Sequence, residues 1–155
     1  MSETKPIRIL YVDDEMNNLV SMKATFRHEF KMFTAISGME GLEFLKTQQV
    51  EVIITDQRMP EMTGVEFLEQ VIKLYPDPVR ILLTGYTDLQ AVIDAVNKGK
   101  IYYYLNKPWD PQQLKTTILN GYEIFKLREE NVNLIKELER VNEQLEFLLR
   151  QKLLS

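Results

Sequence analysis

Short apolar runs rich in β-branched residues recur along the first three quarters of the chain, and longer amphipathic stretches separate them. This alternation is typical of repeated strand–helix units around a parallel sheet. It predicts five strands, at residues 7–12, 32–36, 50–55, 79–84 and 101–105. It also predicts helices at about residues 15–29, 38–48, 64–75 and 88–99, and a fifth helix that begins at Pro111. The pattern therefore predicts an α/β fold with a doubly wound sheet.

A different pattern begins near residue 122. From Glu123 to Ser155 the chain has no glycine or proline, and leucines alternate with charged residues at helical spacing. The apolar positions alternate three and four residues apart, which is the heptad pattern of a coiled coil. The predicted seam consists of Ile124, Leu127, Asn131, Leu134, Leu138, Val141, Leu145 and Leu148. Asn131 favours a parallel dimer, because paired Asn side chains in a seam fix its register.

The two patterns divide the chain into a domain of residues 1–121 and a helix of residues 122–155. A helix of about 33 residues is roughly 50 Å long, whereas a 120-residue domain has a radius of gyration of only about 14 Å. We therefore expect the helix to project and to pair with an identical chain in a homodimer. The alternatives are a helix that folds back on its own domain and a helix end that frays.

Composition excludes several classes of protein. The 155 residues are 45% hydrophobic, which suffices for a core, and 19 basic against 23 acidic residues give a net charge of -4. Such a chain has no basic field for nucleic acid, so we expect no direct nucleic-acid partner. Absence of cysteine excludes disulfides and thiolate sites. The sequence shows no secretion signal and no apolar run of about 20 residues, which predicts a cytoplasmic protein without a membrane partner.

Chemically active side chains stand where the predicted strands end. Asp13 and Asp14 follow the first strand, Asp56 follows the third, Thr84 ends the fourth and Lys107 follows the fifth. In a sheet of order 2-1-3-4-5 the first and third strands are neighbours, so the three carboxylates would converge and repel one another. Mg²⁺ would remove that repulsion, and Lys107 and Thr84 could bind phosphoryl oxygens. The combination indicates phosphoryl transfer to a carboxylate.

Each of these residues also has a structural interpretation. Asp13 or Asp14 could cap the following helix, and Asp56 could open a turn. Thr84 could be an ordinary strand residue, and Lys107 could be a solvated surface charge. The occurrence of a suitable group at all four strand ends favours a common site.

Four motifs carry a resemblance to a known family. They are Val12-Asp-Asp-Glu, Asp56-Gln-Arg-Met-Pro-Glu-Met-Thr-Gly, Leu83-Thr-Gly and Tyr104-Leu-Asn-Lys-Pro-Trp. With them, residues 7 to about 121 resemble the receiver domain of two-component response regulators, in the CheY-like superfamily. The resemblance implies a flavodoxin-like sheet of strand order 2-1-3-4-5. It also implies a phosphoryl donor, either a histidine kinase or a phosphotransfer protein.

The resemblance assigns a role to each residue of the predicted site. Asp56 would be the phosphoacceptor and, with Asp14, would coordinate Mg²⁺, or Mn²⁺ in its place. Asp13 would reach the metal through water, and the backbone carbonyl of Arg58 would be a further ligand. In the family, the side chains at the positions of Tyr86 and Arg58 cover the acyl phosphate and adjust its lifetime. We therefore expect an unusual lifetime for that group.

The resemblance also implies a conformational switch. Lys107 would pair with the phosphoryl group, and its peptide bond to Pro108 would be cis. Thr84 would move toward the phosphoryl oxygen and Tyr104 would turn inward. The surface of the fourth helix, fifth strand and fifth helix would then change, and with it the C-terminal helix.

Two other classes of protein remain open on the sequence. One is a phosphatase with Asp56 as nucleophile, although such enzymes usually need a second acid where Arg58 stands. The other is a degenerate adaptor that only dimerises through its coiled coil. We expect a receiver that is not an enzyme beyond its own phosphotransfer and autodephosphorylation. Its motif variants resemble receivers joined to enzymatic outputs more than those joined to DNA-binding domains, and an output domain or effector protein is an expected partner.

Overall fold

Five parallel strands and five helices alternate along the chain in the computed structural model, which describes residues 5–85 and 89–155. The strands are β1 (Arg8–Val12), β2 (Lys31–Ala35), β3 (Val52–Asp56), β4 (Val79–Thr84) and β5 (Tyr103–Asn106). The helices are α1 (Met16–Thr25), α2 (Gly38–Leu45), α3 (Gly64–Leu74), α4 (Leu89–Asn97) and α5 (Pro111–Leu154). The sheet has the order β2-β1-β3-β4-β5, which confirms the predicted strand order.

Both faces of the sheet are covered, which explains why its strands read as continuous apolar runs. Successive side chains of a strand point to opposite faces. In β1, Ile9 and Tyr11 therefore belong to a core shared with α1 and α5, whereas Leu10 and Val12 belong to a core shared with α2, α3 and α4. All four of these β1 side chains are fully buried.

The helix starts follow local capping chemistry. Ser37 caps α2 by accepting a hydrogen bond from the backbone N–H of Glu40 at 3.1 Å. Thr63 and Glu66 form a reciprocal capping box at the start of α3. Asp110 caps α5, with proline in the first turn as predicted. These caps keep the starts of α2, α3 and α5 close to their predicted positions.

Several predicted boundaries shift, among them the end of α2, which lies at Leu45 rather than at residue 48, and the start of β3, which lies at Val52 rather than at residue 50. Helix α1 ends at Thr25 rather than near residue 29, because the chain turns at residues 26–30 to bury Phe26 and Phe30 in the core. Strand β5 begins at Tyr103 rather than at residue 101, so it is the shortest of the five strands. These are differences of two to four residues, in segments where burial rather than hydrophobic period decides the boundary.

Helix α5 is continuous over 44 residues, or roughly 66 Å. Its first three turns bury Leu114, Thr117, Ile118 and Gly121 against the domain. From residue 126 to residue 155 every position is exposed. The helix therefore projects, as expected from its length, and does not fold back on its own domain. Among the residues that the structure describes, no helix is long and apolar enough to span a membrane.

Candidate functional site

Three carboxylates meet at the carboxyl ends of β1 and β3. Asp13 and Asp14 follow β1 directly, Asp56 is the last residue of β3, and the two strands are hydrogen-bonded neighbours. One oxygen from each carboxylate lies within 4.8 Å of the other two. Asp13 and Asp56 are buried, whereas Asp14 is half-buried. The convergence expected from the strand order is therefore present, and we call these three residues the acidic pocket.

Asp13 is held by more partners than its sequence position indicates. Its carboxylate accepts hydrogen bonds from the Tyr11 hydroxyl at 2.5 Å, the Glu15 backbone N–H at 2.9 Å and the Asn18 amide at 3.0 Å. Burial, together with the bond to Asp13, raises the pKa of the Tyr11 hydroxyl, which therefore stays a donor. Asp13 thus contacts the residues that begin α1 and belongs to the acidic pocket, but it is not the cap of α1, whose N-cap residue is Glu15.

Asp56 forms an ion pair with Lys107, whose ammonium also lies near Asp13. The Lys107 ammonium lies 2.6 Å from Asp56 Oδ1 and 3.8 Å from Asp13 Oδ2. Burial raises the pKa of the Asp56 carboxyl and the charge of Asp13 raises it further, whereas Lys107 and the Gln57 N–H lower it. The net shift is upward, so one lysine does not fully compensate the desolvated charges.

A divalent cation suits this donor set. Hard cations such as Mg²⁺ bind carboxylate oxygens and retain several waters, so a site with few protein ligands and one open side is sufficient. Asp14 is the most accessible of the three carboxylates, and Arg58 lies exposed in the loop that follows β3. The role of the Arg58 carbonyl as a further ligand stays a prediction.

Two residues to which the sequence assigned no role in the site position Asp56. A Cβ atom on Gly64 would lie 2.3 Å from the Asp56 backbone oxygen, so only glycine permits this approach of α3 to β3. Gln57 is buried, and its side-chain oxygen accepts a hydrogen bond from the Val65 N–H at 2.9 Å while its backbone oxygen accepts one from the Gly64 N–H at 3.0 Å. The spacing needed for this contact is visible in the Asp56–Gly64 motif, but the close approach that requires glycine there is not.

The predicted switch residues lie on β4 and β5. Thr84 is fully buried at the end of β4, and its hydroxyl donates to the Gly85 carbonyl at 3.1 Å. The Lys107 N–H donates to the Thr84 carbonyl at 2.9 Å, and the Lys107–Pro108 bond is cis, as the resemblance implied. Tyr104 is half-buried against the core on the α4 side, with its ring centroid 5.8 Å from that of Tyr103. Tyr86 lies outside the described residues.

Comparison with known proteins decides the family. The response regulator receiver domain matches residues 9–119. The chain belongs to that family. A curated relative, the hydrogenase transcriptional regulatory protein HoxA of Cupriavidus necator, is 42% identical over 119 residues, which are 77% of this chain and 25% of that protein. The chain thus spans about a quarter of the length of this relative.

Solved structures agree with the receiver fold. An adenylate cyclase structure from Rhodopirellula baltica is 34% identical, has a TM-score of 0.83, and covers 85% of this chain and 98% of its own. A response regulator receiver domain from Clostridium thermocellum is 35% identical, has a TM-score of 0.74, and covers 78% of this chain and 98% of its own. These comparisons confirm the resemblance on which the sequence interpretation depends. One of these similar proteins is named a transcriptional regulator and another an adenylate cyclase, so their names do not select an output for this chain.

The second candidate site is the predicted seam on α5. Its first member, Ile124, is half-buried beside the receiver. The other seven are exposed, namely Leu127, Asn131, Leu134, Leu138, Val141, Leu145 and Leu148. Six apolar side chains in a row along one helix are an exposed apolar surface of the kind that marks an interaction site.

Proposed function

We propose that Asp56 accepts a phosphoryl group from a histidine kinase or a phosphotransfer protein in a Mg²⁺-dependent reaction. The observation that carries this proposal is the Asp56 carboxylate, which belongs to the acidic pocket and has the Lys107 ammonium 2.6 Å away. An Asp56 oxygen attacks the phosphorus of the donor phosphohistidine. The P–N bond breaks as the P–O bond forms, and the histidine nitrogen keeps the electron pair.

The surrounding residues would stabilise the phosphoryl group after transfer. Lys107 would move its ion pair from the Asp56 carboxylate to a phosphoryl oxygen, since the ammonium already lies within contact distance. Thr84 would exchange its bond to the Gly85 carbonyl for one to a phosphoryl oxygen. Mg²⁺, held by Asp14 and Asp56 directly and by Asp13 through water, would neutralise the negative charge that develops on the phosphoryl oxygens. Since a histidine kinase draws its phosphoryl group from ATP, we expect the reaction in the cytoplasm.

The added charge is the physical source of the switch. A phosphoryl group brings about −1.5 to −2 charges and three strong acceptors into the site. Thr84 would move toward it, and Tyr104, now half-buried, would turn inward and change the α4–β5–α5 surface. Because α5 continues without interruption from this surface into the seam, a change there reaches the projecting helix. We place homodimer formation on the seam and propose that phosphorylation alters the geometry of that dimer.

Binding of beryllofluoride, a mimic of the phosphoryl group, tests the proposal. The full chain is titrated with beryllofluoride and Mg²⁺ while the fluorescence of Trp109 is recorded. Trp109 is the single tryptophan, two residues from Lys107, and it stacks on Phe26 in the core. We expect a saturable signal that requires Mg²⁺ and is lost in Asp56→Asn.

The matched control is Asp77→Asn, which removes one carboxylate at an exposed position outside the acidic pocket. It should bind beryllofluoride like the wild type. No binding to the wild-type chain would reject the proposal and favour the adaptor. Sustained release of phosphate from small phosphate esters, dependent on Asp56, would instead favour the phosphatase.

A further inference from the structure

Tyr11 carries a hydroxyl group from the apolar core to the acidic pocket. Its side chain is fully buried on the face of the sheet that α1 and α5 cover, in the same core as Leu19 and Leu114. A phenylalanine would fill the same space there without the hydroxyl. The hydroxyl donates to Asp13 Oδ2 at 2.5 Å, which satisfies a polar group that would otherwise be costly to bury. The bond therefore joins this core to a carboxylate of the proposed metal site.

The hydrogen bonds of the Asp13 carboxylate leave it little freedom to turn. Its Oδ2 accepts from the Tyr11 hydroxyl at 2.5 Å and from the Asn18 amide at 3.0 Å, and its Oδ1 accepts from the Glu15 backbone N–H at 2.9 Å. An ionised carboxylate offers about four lone-pair positions, which are shared equally by its two oxygens. The donors that the structure describes thus occupy both positions of Oδ2 and one of Oδ1. A rotation of the carboxylate would break these bonds.

The three donors differ in their access to water. Tyr11 and Asp13 are both fully buried, whereas Asn18 is half-buried and Glu15 is exposed. Water can replace a donor at an accessible position, but it cannot replace the Tyr11 hydroxyl, because the core closes that position. A buried acceptor that loses its partner bears the full cost of its desolvation. The orientation of Asp13 therefore depends most on its bond to Tyr11.

The orientation of Asp13 matters because of the metal that the acidic pocket would hold. Mg²⁺ requires near-ideal octahedral geometry and keeps several of its waters. A carboxylate with free lone pairs, next to Asp14 and Asp56, could turn and displace one of those waters. A carboxylate whose Oδ2 is fully engaged has one position left on Oδ1, which suffices to accept a hydrogen bond from a metal-bound water. Removal of a hydrogen-bond partner that orients such a group typically lowers metal affinity about 10- to 100-fold.

We propose that Tyr11 is a positioning residue of the metal site, whose hydroxyl holds the Asp13 carboxylate in the orientation in which Asp13 reaches Mg²⁺ through water. The inference rests on the Mg²⁺ site proposed above and adds a residue to it. It assigns a residue from the core side of β1 a role in metal binding. It also gives a physical reason why the contact of Asp13 with the metal runs through water.

Metal binding by Tyr11→Phe tests the proposal, because this variant removes the hydroxyl and keeps the ring. The full chain is titrated with Mn²⁺ alone, and the free ion is measured by electron paramagnetic resonance. This readout does not depend on Trp109, which packs against the same core. We expect the dissociation constant for Mn²⁺ to rise at least about tenfold. Tyr122→Phe is the matched control, because Tyr122 packs half-buried against this core from α5, and its dissociation constant should equal that of the wild type.

Stability measurements separate a positioning role from a purely structural one. Urea unfolding of the wild type and of Tyr11→Phe is measured without metal and at one fixed concentration of Mn²⁺. Since the ion stabilises the folded chain according to its affinity, it should raise the urea midpoint of Tyr11→Phe less than that of the wild type. A lower midpoint without metal, combined with unchanged or tighter Mn²⁺ binding, would mean that the hydroxyl only stabilises the fold and would overturn the proposal.

Asn18→Ala provides a second variant that acts on the same oxygen of Asp13. Because water can replace the half-buried Asn18 amide, we expect a smaller rise of the dissociation constant for Mn²⁺, about two- to fivefold. A rise at least as large as that of Tyr11→Phe would overturn the assignment of Tyr11 as the main partner of Asp13. No rise at all would overturn the role of these bonds in orienting the carboxylate.

Failure of this inference and failure of the proposed function give different results. If the wild type binds Mn²⁺ and beryllofluoride and Tyr11→Phe binds the ion equally well, only the role of Tyr11 is overturned. If the wild type binds neither Mn²⁺ nor beryllofluoride, the metal site itself is overturned, and the role of Tyr11 with it.

Discussion

The receiver and the projecting part of α5 use leucine in opposite ways. Leu82 in β4 is completely buried among side chains from α3 and α4, whereas Leu138 in the seam is 60% exposed. The first leucine stabilises the fold of the receiver, and the second is left exposed by all the residues that the structure describes. Leucine content alone does not distinguish these two uses, because both segments are rich in leucine. What differs is whether the same chain supplies the covering surface.

The largest expected effect comes from the same substitution in the two regions. Leu82→Ala should lower the free energy of unfolding by about 2–5 kcal/mol, because it leaves a cavity in a fully buried site. Leu138→Ala should change the unfolding of the receiver by less than about 0.5 kcal/mol. Urea denaturation followed by Trp109 fluorescence measures both. Equal losses in the two variants would show that the projecting helix contributes to the receiver core.

A glycine pair sharpens the comparison within the receiver. Gly64→Ala would force α3 away from the Asp56 carbonyl, and we expect it to cost about 1–3 kcal/mol of stability, typical of overpacking, and to weaken beryllofluoride binding. Gly85→Ala is the matched control, because a Cβ atom there would lie within 4 Å of no residue that the structure describes, apart from its chain neighbours. Similar stability of the two variants would contradict the role given to Gly64.

Asn131 offers the complementary test in the seam. Asn131→Ile should strengthen association of the full chain about tenfold or more, since burying an isoleucine contributes roughly 1.5–3 kcal/mol. It should also admit trimers or tetramers, because the paired Asn that specifies the dimer is gone. Sedimentation velocity measures both effects. Weaker association would mean that Asn131 does not lie in a buried seam.

The smallest expected effect on the stability of the receiver is that of removing the projecting helix. A chain that ends after Arg128 keeps every residue of α5 that is buried in the receiver. Its receiver should unfold within about 0.5 kcal/mol of the full chain and bind beryllofluoride with Mg²⁺ as before. It should also be monomeric by sedimentation. A large loss of stability would show that the separation between the two regions is wrong.

The sequence predicted the acidic pocket because each of its residues is marked by its immediate neighbours in the chain. Asp13, Asp14 and Asp56 each follow an apolar run, and a parallel sheet brings the ends of such runs to one edge. Strand order was the additional piece of information, and the family resemblance supplied it. The heptads of the projecting helix were predicted for the same reason, since three- and four-residue steps need no knowledge of distant contacts.

The supporting contacts were not predictable in this way. Arg80 interrupts the apolar run of β4, yet it is buried, and its guanidinium donates to the carbonyls of Lys100 at 2.8 Å and Pro78 at 3.0 Å. Desolvation lowers the pKa of Arg80. The hydrogen bonds to these carbonyls offset the cost of burying the guanidinium charge. No sequence pattern indicates the roles of Tyr11 and Gln57 either, because those roles depend on the residues that lie beside them after folding.

The sequence by itself therefore determined the elements, the strand-end chemistry and the helical seam, since each is a repeat or a neighbour relation along the chain. Only the tertiary structure decided that Gly64 must lie against the Asp56 carbonyl and that Asp13 has Tyr11 and Asn18 as partners. The physical reason is the separation along the chain over which each interaction acts. Period and capping act over a few residues, whereas desolvation and close packing depend on atoms that only the completed fold brings together.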